Sequence, residues 1–488
     1  MDADAGQQPD CSGYRKLAKE LEQLKEQVEK LRTALEESQR AGKRQAAPFR
    51  KPKVVVPRKP GRKSGDDYGT QARRTIPEQI DERWEAPLPK CCPQCGCGKL
   101  TKDAVCQQYQ TDIPRKPIYR QFDVHVGHCT GCGKRVQGRH PLQTSDALGA
   151  AASQLGPDLQ AALTVANKEL GLSHGKCRRL VEQLFGLKVS RSANWQAQRR
   201  LATKLRPSYE RIGKQVRGSP RVVCDETGWR VNGRRGRPLI RAQFQSHRAM
   251  ANRHRGETNR PCRNAWLHDF VTEHFTDDVI DPTRSGQPAT ELLGEDYPGV
   301  LIHDGWSVYD GFRQARHQQC LAHLMRRCHE LLEVAVGGAV RFPRAVRDLF
   351  RKSLSARDRF APGELTSHGL RVLAGRFTES MRRVVTPVKS HTANERLAKH
   401  LENHLGDLLT FLREPTVDAT NWRAEQAIRP AVVNRKVWGG NRTWNGAEVQ
   451  SILMTILVTA NQQAINALDF LKKNLTSSRP VLIPLSAR

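Results

Sequence analysis

The chain has 488 residues, 38% of them hydrophobic, which predicts roughly three domains with real cores. Its net charge of +31 and pI of 10.1, spread over the whole length, point to a polyanion as partner, nucleic acid before membrane. The N-terminus MDADAGQQPD has no apolar core of a signal peptide and no apolar run approaches the roughly 18 residues needed to span a bilayer, so a cytosolic or DNA-associated protein is expected; thirteen cysteines there suit metal ligation or isolated thiols better than disulfides.

Leu17, Leu21, Leu24, Val28, Leu31 and Leu35 alternate spacings of four and three, the apolar seam of a coiled coil over residues 1–40, with Glu and Lys between. Self-association is its expected use, and a lone amphipathic helix is the alternative. Residues 41–85 read as a basic linker rich in Pro and Gly, able to lie along phosphates or to act as a solvated tether.

Two Cys-x-x-Cys knuckles, Cys92–Cys95 and Cys129–Cys132, lie within residues 86–142, separated by strand-like sequence such as IYRQFDVHV. Each is followed by Gly, as a tight turn around tetrahedral zinc requires, and together they supply four thiolates for a structural Zn²⁺ in a zinc ribbon. Cys91, Cys97 and Cys106 stand near enough to blur the ligand set, and unmetallated thiols are the alternative.

Residues 143–218 read as helices, SDALGAAASQLGPDLQAALTVANKEL, SHGKCRRLVEQLFG and SRSANWQAQRRLATKL. The last two have Ser at their expected N-caps and a short GLKV turn between them, like a DNA-binding helix-turn-helix; a helical bundle that only connects neighbouring domains reads the same.

The pattern then changes to strands. PRVVCDETGWRV is β-branched and apolar and delivers Asp225, with Glu226 on the opposite face; AWLHDFVT and FTDDVID follow as strands, PATELLGEDY as a helix, and PGVLIHDGW as a buried strand delivering Asp304. Strand, hairpin, helix, strand is the order of an RNase H-like sheet. A helical region is expected over 315–415, starting at QARHQQCLAHLMRR, in which Cys320 and His323 one turn apart are assigned to packing or local bracing. In VDATNWRAEQAIRPAVVNRKVW, spacings of four put Asn421, Glu425 and Arg429 on one face of a helix, with Arg435 and Lys436 beyond. AEVQSILMTILVTANQQAINALDFLKKNL suits one or two helices over the sheet, and residues 476–488 form a tail.

The pieces CPQCG, CTGC, GRHPLQTSDALGAAASQLGP, VCDETGW, YPGVLIHDGWSVYDGF, CLAHLMRR and TNWRAEQAIRPAVVNRKVWGGNRTWNGAE, in this order, resemble transposases of the insertion-sequence 66 family from end to end. The resemblance implies a multidomain chain whose α/β RNase H-like catalytic domain (219–314 and 416–475) is interrupted by a helical insertion and preceded by the coiled coil, the zinc ribbon and the helical DNA-binding region. It also implies a DDE triad at Asp225, Asp304 and Glu425 that cleaves and joins DNA strands. Such a triad can hold two Mg²⁺ or Mn²⁺ ions about 3.5 to 4 Å apart, with Arg429, Arg435 and Lys436 neutralising phosphates. Expected partners are the element's DNA ends and target DNA, further copies of the chain, and companion proteins of the same element, in the bacterial cytoplasm on the nucleoid. The family passes from DETGW to the next strand through a short turn, whereas here about thirty basic residues, 235–264, intervene. They are either a tolerated hairpin-tip loop or the mark of an inactive remnant that only binds DNA, in which the first two strands pair badly.

Overall fold

The computed structural model describes residues 27–28, 77–105, 107–114, 116–149, 152–232, 264–360, 363–389 and 391–485. The expected coiled coil apart from residues 27–28 and most of the basic linker lie outside these, as does the basic insert apart from Asn264. The chain divides into two compact units, Met1–Pro114 and Arg115–Arg488.

In the first unit, residues 77–114 contain no helix or strand where described. The knuckle at Cys92 is a closed turn: Gly96 N donates to Cys92 O and Cys92 N to Cys97 O, each at 2.8 Å. In the second unit the knuckle at Cys129 repeats these bonds, Gly133 N to Cys129 O and Cys129 N to Lys134 O, both 2.8 Å. It joins the antiparallel strands β1 (Val126–His128) and β2 (Arg135–Gln137).

Three helices follow. α1 (Pro157–Lys168) begins later than its apolar pattern suggests, because Pro157 forces Gly156 into an extended conformation and serves as the first helical residue. α2 (His174–Phe185) and α3 (Arg191–Arg217) start at the expected caps: Ser173 accepts from Lys176 N at 3.2 Å and Ser190 from Ala193 N at 3.0 Å.

The sheet is built from β3 (Arg221–Trp229), β4 (Ala265–Val271), β5 (Thr276–Asp281), β6 (Val300–His303) and β7 (Arg316–Gln319), in the spatial order β5-β4-β3-β6-β7. β4 runs antiparallel to both β3 and β5; β6 lies parallel to β3 and β7 parallel to β6. Helix α4 (Gln287–Leu293) makes the crossover from β5 to β6. β3 and β4 pair over seven residues, from Val223–Val271 to Trp229–Ala265, on either side of the inserted segment. Of the two readings of the insert, the one in which these strands pair badly is not what the structure has: a hairpin tip absorbs extra chain at small entropic cost.

A correction falls on Arg316–Gln319, read from sequence as the start of a helix. It is a sheet strand, because its backbone completes the ladder of β6 and its Gln318 and Gln319 side chains are buried in polar contacts: Gln318 Nε2 donates to Leu408 O, and Gln319 Oε1 lies 2.8 Å from His400 Nε2. The helical region runs from α5 (Leu321–Val334) through α6 (Arg341–Phe360), α7 (Ser367–Val385), α8 (Thr392–Asn403) and α9 (Thr410–Arg413). It packs one continuous apolar core onto the sheet through Val223, Val271, Val300 and Ile302.

After it come α10 (Trp422–Ala427), α11 (Arg429–Trp438), α12 (Trp444–Gln462) and α13 (Ala467–Thr476). β5 is an edge strand whose free N–H groups are met by a hydroxyl stripe on α12. Thr459, Thr455 and Ser451 accept from Thr276 N (3.1 Å), Asp278 N (2.9 Å) and Ile280 N (3.2 Å), so one turn of helix matches two residues of strand and the edge is covered.

Candidate active site

The two adjacent parallel strands set two carboxylates side by side. Asp225 stands in the middle of β3, half-buried, and Asp304 directly follows β6, whose residues Val300 to Ile302 pair with Arg221 to Val223. Each carboxylate is anchored by its own backbone. Asp225 Oδ1 accepts from Glu226 N and Asp304 Oδ1 from Trp306 N, both at 2.9 Å. Glu425, on α10, reaches them from above, because α10 packs on β3 and β4. Burial pushes the Asp225 carboxyl well above the usual carboxylate range, and the charges of Glu226, Asp304 and Glu425 push it further. Asp304 and Glu425 thus both lie within electrostatic reach of Asp225.

The helix bearing Glu425 is not the continuous one that its spacing suggests. Pro430 has no N–H to continue the ladder, so α10 ends at Ala427 and α11 starts anew at Arg429. Asn421 lies at the N-cap of α10, fully buried, its amide making no hydrogen bond; Arg429 is exposed at the start of the next helix. Asn421, Glu425 and Arg429 are thus divided between two consecutive helices rather than carried by one.

Arg435 points to the sheet. Its guanidinium donates to Thr227 Oγ1 at 3.0 Å and to Gly228 O, bracing β3 two and three residues past Asp225. That internal role revises the expectation of a phosphate contact. Lys436 is exposed beside it. The turn after α11 locks the same strand: Trp229 Nε1 donates to Asn441 Oδ1 (2.8 Å), Asn441 N to Arg230 O (2.9 Å) and Asn232 N to Asn441 O (3.0 Å). Gly440 makes this clamp possible, with φ of 110° and its α-carbon where any Cβ would collide with the Arg230 carbonyl.

Two residues assigned to packing prove different from each other. Cys320 is fully buried at the N-cap of α5 and its thiol takes backbone N–H groups of Asn421, His323 and Ala322, while Leu321 N donates to Ala419 O at 3.0 Å. This staples α5 to the approach of α10. His323 faces the site: its Nε2 lies 3.9 Å from Glu425 Oε1. The spacing Cys-x-x-His was the available signal, but nothing in it says which of the two points at the acid. On the opposite face of β3, Glu226 is occupied by Arg284, whose guanidinium lies between the rings of Trp266 and Trp306, 4.8 and 4.7 Å from their centroids.

The donor chemistry suits a hard divalent cation, since three carboxylates that repel one another are the ligand set Mg²⁺ and Mn²⁺ accept. Among the described residues no three His, Cys, Asp or Glu side chains stand together as a group that could hold a metal ion. For the knuckles, the Cys92 thiol is lowered by N–H groups of Cys95 and Gln94 and the Cys129 thiol by those of Cys132 and Gly131, which favours the thiolate that zinc binds.

The scaffold is a mixed α/β domain, a five-stranded sheet covered by helices, with Asp225 and Asp304 at neighbouring strands and Glu425 on a helix that packs against the sheet. A family model described as Transposase IS66 family matches residues 152–449, and the chain belongs to that family. It is also similar to two uncharacterized proteins of Sinorhizobium fredii. One, y4qI, is 24% identical over 310 residues, 60% of this chain and 54% of its own length; the other, y4jO, is 23% identical over 272 residues, 53% of this chain and 76% of its own. The match thus spans about half the length of y4qI. No helix among the described residues is long and apolar enough to cross a membrane.

Proposed function

We propose that the chain is a DNA transposase whose RNase H-like domain cleaves and joins DNA strands through Asp225, Asp304 and Glu425. The observation that carries this reading is that Asp304, from the end of the adjacent strand, and Glu425, from the covering helix, both act electrostatically on the buried Asp225. The sheet order β5-β4-β3-β6-β7, antiparallel on one side and parallel on the other, and the family membership support it.

The three carboxylates would hold Mg²⁺ or Mn²⁺. Such ions, when bound, make a water or a DNA 3′-hydroxyl more acidic and neutralise charge on the phosphate. Glu425 is presented by a short helix that Asn421, Cys320 and Pro430 delimit, and His323 beside it restrains its carboxylate. Arg429 and Lys436 are proposed to meet DNA phosphates, while Arg435 and the Asn441 clamp hold the strand bearing Asp225. The exposed Lys188, Arg191, Arg199 and Arg200, around the turn and first part of α3, suit binding of the element's ends. Cys92, Cys95, Cys129 and Cys132 are proposed as structural zinc ligands, and the N-terminal seam as a self-association device.

The test is cleavage of labelled DNA carrying the element's ends by purified protein in Mg²⁺. Wild type should cut and Asp304→Asn should bind the ends without cutting. Binding without cutting by both would favour the remnant that only binds DNA.

A further inference from the structure

We infer that Asp269 is a further carboxylate of the proposed metal centre, sharing a cation with Asp225; this rests on the nuclease reading above. β4 sets Asp269 directly opposite Asp225, and β5 sets Asp278 directly opposite Asp269. Directly paired residues of antiparallel strands project from the same face with Cβ atoms roughly 4.5 to 5.5 Å apart. Asp278, Asp269 and Asp225 therefore form one row across three strands, and extending the β3–β6 register by two residues brings Asp304 into line as the fourth. The row lies on the face over which α10 carries Glu425.

Asp269 and Asp278 have no exposed surface; the two carboxyls are hydrogen-bonded to each other, and no N–H or hydroxyl group of the chain donates to either. Buried carboxylates are normally paired with a cation or met by N–H donors. Here the charged neighbours that act on Asp269 are themselves acids: Asp278 first, then Asp225 and Asp277. What such a side chain lacks is positive charge, and the centre next to it is the one place the fold is proposed to hold some. Asp269, adjacent to Asp225, is within reach of a cation there. Asp278, one strand further out, is not, and serves to support Asp269.

The test measures cation binding directly. Mn²⁺ is titrated into the full chain and free Mn²⁺ is followed by electron paramagnetic resonance, for wild type, Asp269→Asn, Asp278→Asn and Asp304→Asn. Asp269→Asn should weaken Mn²⁺ binding at least about tenfold, as Asp304→Asn does, with Asp278→Asn nearer wild type. Wild-type affinity in Asp269→Asn while Asp304→Asn loses the ion would overturn the inference alone and leave a carboxyl pair that serves packing. No Mn²⁺ binding by wild type would remove both the inference and the metal-dependent reading. Asp269→Cys keeps the question answerable if the Asn variant does not fold: a ligand position should bind Cd²⁺ in preference to Mn²⁺ once it carries a thiol, which a purely structural position would not do.

Discussion

His323 Nε2 lies 3.9 Å from Glu425 Oε1, which links the first turn of α5 to the short helix that brings the third acid to the sheet. Residues that orient a ligand typically affect activity 10- to 100-fold. His323→Ala should therefore slow single-turnover cleavage by about that factor while DNA ends are bound as before. Unchanged cleavage in that variant would reduce the contact to packing.

Arg435 and Lys436 are neighbours in sequence with opposite fates in the fold. Arg435 donates to Thr227 Oγ1 and Gly228 O, so Arg435→Ala should cost about 1 to 3 kcal/mol of stability and leave the salt dependence of DNA binding alone. Lys436→Ala should do the reverse, lowering the slope of log K against log salt by about one and sparing stability. Urea unfolding and salt-dependent binding titrations separate the two; a lowered salt slope in Arg435→Ala would contradict the bracing role.

The Gly440 position tolerates no side chain, since its φ of 110° is strained for any L residue and a Cβ would strike the Arg230 carbonyl. Gly440→Ala should lose roughly 2 to 4 kcal/mol and loosen the clamp on Trp229. Slow amide exchange at Asn232 and Asn441 would be expected to speed up with it. Exchange unchanged from wild type would show that the turn can move aside at little cost.

Lys168 is buried under Trp438, its Nζ 2.7 Å from Gln450 Oε1, and burial lowers it from 10.5 to about 7. The unfolded chain therefore binds more protons than the folded one between those values, so this group makes stability rise with pH across that window and imposes its full penalty below about 7. Between about pH 7 and 8.5 the contribution is roughly 2 kcal/mol. The Asp278 carboxyl, raised to about 7 by burial, acts mainly below this range. Urea midpoints of wild type and Lys168→Met should thus diverge with pH across it, wild type gaining on the variant; parallel lines would mean that Lys168 stays protonated in the fold.

Much of this protein is readable without coordinates. The β-branched run ending in Asp225, the apolar VLIH before Asp304, and the serines at 173 and 190 are local signals, because strand alternation and helix capping depend on a few neighbouring residues. Proline carries equally local information, yet it was outweighed by apolar periodicity at Pro157 and Pro430, where it sets the start of α1 and divides α10 from α11.

What the sequence alone determined is which residue types are available and which element carries each. The tertiary structure decided which of them meet. RHQQ has no apolar alternation and becomes a strand only because β6 offers it a ladder. Arg435 is a brace and Lys436 a surface charge because β3 passes on one side of α11. Asp269, indistinguishable in the sequence from any acid in a strand, stands beside Asp225 because cross-strand register, set by pairing between distant segments, puts it there.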